Sequence, residues 1–272
     1  MTHPTAREPS PQMTDGFAAA YEATAHRITG PVSIAALDLV GIAPGLQVLD
    51  IAAGAGALSG PAAERGADVL ATDIAPGMVR RLAERLRPFP RCAAAEMDGE
   101  DLRLADASFD AAFSIFGVIL FPNWRKGLRE QARVLRPGGV GCVATWRSLP
   151  GGGPFMVMAS ALRAVFPDRP PPPSPPGMMA LSDPDALAAG MEEAGFEDVR
   201  IHQVEGIWRG SLGDAYLRDL NALHGYMKAY ADLDEADQAL VRAAMLRIVD
   251  AQAEHGVVEF RTPVLIAVGR RG

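Results

Sequence analysis

The residue types in this sequence that could do chemistry are concentrated in one short acidic and glycine-rich segment. The segment covers residues 48–56 and reads V-L-D-I-A-A-G-A-G. An apolar run carries Asp50 and then breaks into small residues up to Gly56. A buried strand that passes at once into a glycine-rich turn and a helix brings backbone N–H groups close to a ligand. The segment therefore predicts a binding site for a nucleotide-like molecule.

Two further acidic residues stand where the next two predicted strands end. Asp73 follows an apolar run at 68–72, and Asp98 follows a shorter one near 92–96. Because ligands of open α/β sheets bind at the carboxyl ends of the strands, we expect Asp50, Asp73 and Asp98 to face one crevice. Their carboxylates could accept hydrogen bonds from an amino group, two ribose hydroxyls and an adenine amine. Two of the three could instead be ordinary turn or helix-capping acids.

Strands and helices alternate around these acids. The predicted strands are 46–51, 68–72, 92–96, 108–116 and 140–146, and the predicted helices between them are 57–65, 76–86 and 124–135. Alternation of this kind is typical of right-handed βαβ units. We therefore predict an α/β fold with a mainly parallel, doubly wound sheet.

Helical stretches on either side of this region are expected to cover the crevice. Apolar residues at three- and four-residue steps predict two helices between Asp15 and Gly41, and 212–253 is helical again. Strands are predicted at 199–208 and 257–268. The expected boundaries are a disordered tail at 1–14 and a single domain at 15–272, with cap elements at 15–41 and 211–255.

A capping box is predicted in the second half of the chain. Ser182 is followed three residues later by Asp185, which would start a helix that ends at Gly195. The proline-rich block at 167–176, which precedes this helix, is interpreted as a surface spacer.

Composition and charge argue against several classes of function. The formal net charge of -7 and the absence of a clustered basic face argue against a nucleic acid partner. No apolar run reaches the length of about eighteen residues that a membrane span needs, and the first residues lack the apolar core of a signal peptide. Cys92 and Cys142 have no metal-ligand spacing and are expected to be free thiols. We expect a cytoplasmic protein with a small-molecule substrate and no membrane partner, and its oligomeric state stays open.

In combination, these segments resemble a known family. V-L-D-I-A-A-G-A-G is similar to V-L-D-x-G-x-G-x-G of the class I S-adenosylmethionine-dependent methyltransferases, in particular the ubiquinone- and menaquinone-biosynthesis-like, type 11 group. The later segments that match are A-T-D-I-A-P-G-M at 71–78, M-D-G-E-D-L at 97–102, S-F-D at 108–110 and V-L-R-P-G-G at 134–139. The resemblance implies a Rossmann-like, seven-stranded sheet with an antiparallel last strand. It also implies S-adenosylmethionine as cofactor, S-adenosylhomocysteine as product, and no metal.

The resemblance also implies roles for individual residues. Asp50, Gly54 and Gly56 would line the methionine moiety, and Asp73 would hold the ribose diol. The residues implied near the adenine are Ile74, Asp98 and Gly99, and weaker cofactor contacts are implied for Met78, Met97 and Ser114.

The sequence departs from the family pattern at Ala52, where the family has its first glycine. Because alanine is small, we expect the cofactor to bind, on the condition that Ala52 adopts a negative φ.

The reaction implied is in-line methyl transfer to an oxygen, nitrogen or carbon atom of a small apolar or aromatic metabolite. Several side chains of the C-terminal half could line an apolar acceptor pocket or simply pack the cap on the sheet: Met156, Met158, Trp208, Tyr216, Tyr226 and Met227. If the acceptor needs a base, we prefer His224, which follows Leu217 and Leu220 on the inner stripe of the cap, with Tyr21 as the second choice.

Two other functions are compatible with parts of this pattern. The glycines at 54, 56 and 60, with Asp73 further along, also fit an NAD(P)-dependent oxidoreductase. Against that reading, Asp50 would face the pyrophosphate, and the sequence has no Tyr-x-x-x-Lys pair. A Rossmann-fold protein that binds S-adenosylmethionine without transferring its methyl group is the other alternative, because a fold does not determine a reaction.

Overall fold

The computed structural model describes residues 13–147, 151–171, 173–225 and 227–272. Most of the predicted tail and Tyr226 lie outside the described residues. The strands are β1 (Gln47–Ile51), β2 (Asp68–Asp73), β3 (Ala93–Glu96), β4 (Phe109–Ile115), β5 (Leu135–Trp146), β6 (Phe196–Gly210), β7 (Ala253–Glu254) and β8 (Val257–Arg271). The helices are α1 (Asp15–Val40), α2 (Ser59–Glu64), α3 (Pro76–Leu86), α4 (Trp124–Val134), α5 (Pro154–Val165), α6 (Pro176–Ala180), α7 (Pro184–Glu193), α8 (Gly213–His224), α9 (Lys228–Ala231) and α10 (Glu235–Ala251).

The strands form one mixed sheet in the order β3-β2-β1-β4-β5-β8-β6, and the short β7 pairs with β8. The first five strands pair in parallel, whereas β8 is antiparallel to both β5 and β6. Val48, Leu49 and Ile51 of β1 are all buried, as expected for a strand covered on both faces. The predicted Rossmann-like sheet with an antiparallel last strand is therefore confirmed.

The sheet topology places a ligand crevice next to β1. This strand lies between β2 on one side and β4 on the other, so that the chain reverses its direction of winding there. Open α/β sheets bind ligands outside the carboxyl ends of the strands at such a switch point. The glycine-rich turn that follows β1 is therefore at the edge of the sheet where a ligand is expected.

The prediction of two N-terminal helices is wrong, because α1 is a single helix of 26 residues with Pro31 inside it. A proline removes one backbone hydrogen bond from a helix and usually kinks or ends it. Here Ile28 and Val32, on either side of Pro31, are both buried in the core, so packing of one face holds the two halves together. The predicted end is confirmed: Gly41 has a φ of 77° and its N–H donates to the Leu37 carbonyl oxygen.

The predicted capping box at Ser182 is also wrong. The residue that caps α7 is Asp183, whose carboxylate accepts hydrogen bonds from the N–H groups of Asp185 and Ala186, both at 3.0 Å. The Ser182 hydroxyl instead donates to the carbonyl oxygen of Met179 at 2.9 Å. Proline favours the first position of a helix, so Pro184 makes the preceding residue the cap.

The structure also bears on the predictions about membrane spans, cysteines and metal sites. No helix in the described ranges has the length and apolarity to cross a membrane. Both cysteines are free, and burial raises the pKa of the Cys142 thiol. Within the same ranges, no three His, Cys, Asp or Glu side chains come together in a group that could hold a metal ion.

Candidate functional site

Two buried carboxylates lie at the carboxyl ends of the neighbouring strands β1 and β2. Asp50 is 1% exposed and Asp73 is 8% exposed. The N–H of Gly54 donates to Asp73 Oδ2, and the N–H of Ala75 donates to Asp73 Oδ1, both at 2.9 Å. Each carboxylate oxygen can accept a second hydrogen bond, so Asp73 can hold the glycine turn and two ligand hydroxyls together.

Few interactions offset the cost of burying the Asp50 carboxyl group. Its Oδ2 accepts a hydrogen bond from the Ser59 hydroxyl, and no ion pair with it is found in the described part of the chain. Burial raises the pKa of Asp50 to about 7, and the nearby charge of Asp73 adds to the effect. A cationic group that enters the site would favour the ionised form of Asp50.

The condition set for Ala52, a negative φ, is not met, because its φ is 55°. This left-handed conformation costs an L-residue about 1–2 kcal/mol, which explains why a glycine suits the position better. The structure gives the alanine methyl group room next to the segment after β4: a Cβ built on Gly117 would lie 2.7 Å from the Cβ of Ala52. Ala52 is therefore accommodated by a glycine that follows β4.

We expect Gly117→Ala to destabilise the protein by about 1–3 kcal/mol, as overpacking does in other cores. The backbone of Gly117 has an ordinary φ of -84°, so that only the lack of space opposes the new methyl group. Ala52→Gly should stabilise the protein by about 1 kcal/mol and should reduce the cost of Gly117→Ala in the double variant. Urea unfolding measures all three free energies. Gly30→Ala, at a helix position with open space, is the control, and equal stability of Gly117→Ala and the wild type would contradict the proposed packing.

The residues expected near the adenine form an open edge beside Asp73. Ile74 is 53% exposed, which is unusual for a large apolar side chain next to buried carboxylates. Asp98 is exposed and its Oδ1 accepts a hydrogen bond from the N–H of Glu100 at 2.8 Å. Gly99 is buried, and a Cβ there would collide with the Phe121 ring. This edge offers an apolar surface and a carboxylate side by side, which suits a planar base with an amino group.

The three residues that the resemblance implies as weaker cofactor contacts differ in their burial and in their hydrogen bonds. Met97 is half-buried, and its N–H donates to the carbonyl oxygen of Asp73 at 3.0 Å. Met78 is buried in a small cluster with Ala75 and other side chains beneath α1. The Ser114 hydroxyl is buried and accepts a hydrogen bond from the N–H of Val118 at 2.9 Å. Met78 and Ser114 are thus engaged in packing beside the site.

The N-terminal helix α1 covers the glycine turn. A Cβ built on Gly54 would lie 3.6 Å from Tyr21 Cε1, so that the Tyr21 ring lies against the turn. Burial raises the pKa of Tyr21 to about 12, and the negative charge of Asp73 contributes. The phenol is therefore protonated at neutral pH and can donate a hydrogen bond.

Ion pairs hold α1 in this position. Glu22 pairs with Arg81 at 2.9 Å and also with Arg85. The Arg85 side chain crosses the glycine turn, where its Nε donates to the carbonyl oxygen of Ala55 at 2.8 Å. One arginine of α3 thus joins the covering helix to the turn.

Comparisons with known proteins identify the family of this chain. A methyltransferase domain family matches residues 48–139. The nocamycin O-methyltransferase of Saccharothrix syringae is 32% identical over 279 residues, which cover 94% of this chain and 96% of that protein. The chain belongs to the S-adenosylmethionine-dependent methyltransferases. It is an enzyme of this family, and its cofactor is S-adenosylmethionine.

Two other proteins are similar to this methyltransferase. A demethylmenaquinone methyltransferase of Renibacterium salmoninarum is 37% identical over 180 residues, which cover 62% of this chain and 74% of that protein. The solved structure of phosphoethanolamine N-methyltransferase 2 of Haemonchus contortus with S-adenosyl-L-methionine has a TM-score of 0.57 and 17% identity. The similarity covers 96% of this chain and 58% of that one, and at this identity it shows a shared fold.

The cleft of the methyltransferase contains polar residues that the sequence analysis missed. It is lined by Asp50, Tyr21, His26, Thr29 and Ser33, among others. The last three are spaced by three and four residues, which places them on one face of α1. That spacing was visible in the sequence, but the same helix carries apolar residues at similar steps, and nothing local distinguished the two faces.

His224 lies away from this cleft, at the end of α8. It is buried, and its ring centroid is 5.9 Å from that of Tyr230. Burial lowers the pKa of His224 to about 4. Its predicted role as a base stays a prediction, since the described residues that line the cleft include His26 and not His224.

The aromatic residues proposed for an acceptor pocket are largely packed in the core. Trp208 and Tyr216 are fully buried and make an edge-to-face contact with centroids 5.8 Å apart. The Trp208 indole N–H donates to the carbonyl oxygen of Thr24 at 3.1 Å, which fixes β6 to α1. Met158 is also buried, whereas Met156 and Met227 are partly exposed. For the three buried side chains the structure favours the packing interpretation.

Proposed function

We propose that this methyltransferase methylates an oxygen, nitrogen or carbon atom of a small apolar or aromatic metabolite. The observation that carries the proposal is the pair of buried carboxylates, Asp50 and Asp73, beside the exposed Ile74. Two relatives are named for nocamycin and demethylmenaquinone, which supports a metabolite over a macromolecule as acceptor. The net charge of -7 also disfavours a nucleic acid.

The residues of the site fit S-adenosylmethionine in three parts. Asp73 has free lone pairs for the ribose hydroxyls, and Ile74 with Asp98 and Gly99 offers the apolar surface and carboxylate for the adenine. Asp50, which lacks a cationic partner among the described residues, suits the ammonium group of the methionine moiety. Ala52, Gly54 and Gly56 would form the turn around that moiety, with Met97, Met78 and Ser114 as lesser contacts.

The bound cofactor supplies an electrophilic methyl group on a sulfonium sulfur. Alignment of two reactants in an enzyme is worth up to about 7–11 kcal/mol, so the main work of this chain is to orient and to exclude water. Tyr21 contributes to both, because its ring lies on the glycine turn and its protonated hydroxyl can donate a hydrogen bond into the cleft. A base is needed only for acceptors such as phenols.

The test is incubation of the protein with S-adenosylmethionine and a panel of phenols, alcohols, amines and quinols of low molecular weight. We expect S-adenosylhomocysteine to form with at least one acceptor, and no binding of NAD(P)H in a calorimetric titration. Cofactor binding without turnover across the panel would favour the non-transferring alternative. Turnover with RNA or protein alone would contradict the proposed acceptor class.

The base is tested separately with His224→Ala on the best acceptor of that panel. If His224 accepts the proton, turnover should fall by about 100-fold or more, and its pH dependence should change. Unchanged turnover across pH in a folded variant would remove this role. Urea unfolding of the variant serves as the control for folding.

A further inference from the structure

Three polar side chains of α1 are buried without a hydrogen-bond partner among the described residues. The atoms concerned are His26 Nε2, Thr29 Oγ1 and Ser33 Oγ. Thr29 and Ser33 are themselves almost completely buried, and all three side chains line the cleft that contains Asp50. Buried polar groups in proteins are normally paired, so three such atoms on one wall of one cleft call for a ligand.

Thr29 and Ser33 differ from another threonine of the same helix in how their hydroxyls are used. A serine or threonine within a helix commonly donates back to the carbonyl oxygen four residues earlier. The Thr24 hydroxyl makes that bond with Ala20 at 2.6 Å. The hydroxyls of Thr29 and Ser33 make no such bond with the described residues. They are therefore available to a group in the cleft.

The spacing of the three side chains suits one small polar group. Residues three and four apart on a helix have Cβ atoms about 5–6 Å from each other, so His26 and Ser33 flank Thr29 on the same face. Burial, with the nearby charge of Arg85, lowers the pKa of His26 to about 4. The neutral imidazole can carry its proton on Nε2 and donate from there. The wall contributed by α1 can therefore present three hydrogen-bond donors.

Asp50 lines the same cleft and supplies the complementary group. Asp50 can only accept hydrogen bonds when ionised, and it favours a cation. No lysine or arginine is among the described residues that line the cleft, so an anion there would be held by hydroxyl and imidazole donors. Hydrogen-bond donors and a carboxylate in the same cleft match a zwitterion with a carboxylate and an ammonium group.

We propose that Thr29 and Ser33, together with His26, bind the α-carboxylate of the methionine tail of S-adenosylmethionine while Asp50 binds its ammonium group. The proposal rests on the cofactor site described under the proposed function. It adds three residues that lie outside the matched methyltransferase domain at 48–139 and outside every segment that carries the family resemblance. It also makes α1, the covering helix, a part of the cofactor site.

The test compares two ligands by isothermal titration calorimetry. S-adenosylhomocysteine has the full amino acid tail, whereas 5′-methylthioadenosine has the same adenosine and sulfur without it. Thr29→Val and Ser33→Ala remove the hydroxyls and change the shape little. Because a hydrogen bond to a charged group is stronger than a neutral one, each variant should bind S-adenosylhomocysteine about tenfold more weakly. The affinity for 5′-methylthioadenosine should change by less than about twofold in each, since that ligand makes none of these contacts.

Thr24→Val is the matched control, because it removes a hydroxyl from the same buried helix at a position whose partner is Ala20. It should leave the ratio of the two dissociation constants unchanged. His26→Phe should raise that ratio in the same direction as Thr29→Val. Circular dichroism and urea unfolding of each variant establish that α1 is still folded.

The possible outcomes separate this proposal from the cofactor assignment. If Thr29→Val and Ser33→Ala weaken both ligands equally or neither, the hydroxyls do not bind the tail and the proposal is wrong. If the variants raise only the KM of the methyl acceptor, the polar face belongs to the acceptor site and the proposal is again wrong. If the wild type binds 5′-methylthioadenosine but not S-adenosylhomocysteine, the nucleoside site stands and the tail site falls. If it binds neither ligand, the cofactor site itself is misplaced, and this proposal falls with it.

Discussion

Asp73→Asn should weaken the binding of S-adenosylhomocysteine by about 100-fold, because two hydrogen bonds from ribose hydroxyls to a charged carboxylate are lost or weakened. The amide also cannot replace the carboxylate within the protein. The two oxygens of Asp73 accept backbone N–H groups from Gly54 and from Ala75, whereas an amide has a single acceptor oxygen and can keep only one of these bonds. The variant therefore loses the ligand contacts and loosens the glycine turn at the same time.

The measurement for Asp73 is calorimetric titration with S-adenosylhomocysteine and with its 2′,3′-dideoxy analogue. The difference between wild type and Asp73→Asn should nearly disappear for the analogue, which has no ribose hydroxyls to donate. Asp68→Asn is the control, since Asp68 begins the same strand but contacts Gln47 and Arg91 instead of the cleft. An equal loss of affinity for both ligands would show that Asp73 acts through the turn alone.

The parts of the site that the sequence predicted share a local cause. Asp50 and Asp73 each occur at the end of a short apolar run, and strand ends in a parallel sheet meet at one edge. The glycine turn could be predicted because glycine readily adopts the positive φ angles that a tight turn requires. The start of α3 at Pro76 is also a local signal, and the structure confirms it.

The parts that could not be predicted depend on neighbours distant in sequence. The φ of Ala52 is tolerated because Gly117 leaves space for its methyl group, and no pattern near residue 52 contains that information. Pro31 lies within one helix because both sides of it pack in the same core. The capping error at Ser182 is different, because Pro184 was a local signal that outweighs the capping-box spacing.

The function of the polar face of α1 could not be predicted from nearby sequence either. His26, Thr29 and Ser33 are ordinary residues for a half-exposed helix, and their role becomes visible only when β1 brings Asp50 to the same cleft. The sequence analysis ranks His224 first among candidate bases because it follows an apolar stripe. Such a ranking cannot tell which helix covers the sheet edge, because this depends on how the ends of the chain pack.

Asp50→Asn should have opposite effects on cofactor binding and on stability. Binding of S-adenosylhomocysteine should weaken by about 100-fold, since the ammonium group loses its ionic partner. The folded protein should become more stable at neutral pH, because the buried carboxyl no longer has to ionise. The raised pKa of Asp50, about 7 in the folded protein, sets the direction of the second effect.

The sign of the stability effect follows from linkage. A carboxyl whose pKa is raised by folding stabilises the protein fully below the pKa of the unfolded chain, and this contribution is lost as pH rises through the pKa of the folded state. For Asp50 the loss occurs between about pH 4 and pH 7 and amounts to about 4 kcal/mol at most, at 1.36 kcal/mol for each unit of pKa. Asparagine does not titrate, so the free energy of unfolding of Asp50→Asn should decline less over this range than that of the wild type. Urea unfolding at a series of pH values measures both curves.

The same titration should control cofactor affinity in the wild type. The ammonium group of S-adenosylhomocysteine prefers ionised Asp50, so the dissociation constant should fall as pH rises towards 7 and level off above it. Asp50→Asn should abolish this dependence, and 5′-methylthioadenosine, which has no ammonium group, should not show it with either protein. A dissociation constant for S-adenosylhomocysteine that is independent of pH in the wild type would contradict the assignment of Asp50 to the ammonium group. A buried carboxyl group that binds a cation lowers the stability of the free protein. Cofactor binding restores that stability because the ammonium group supplies the missing positive charge.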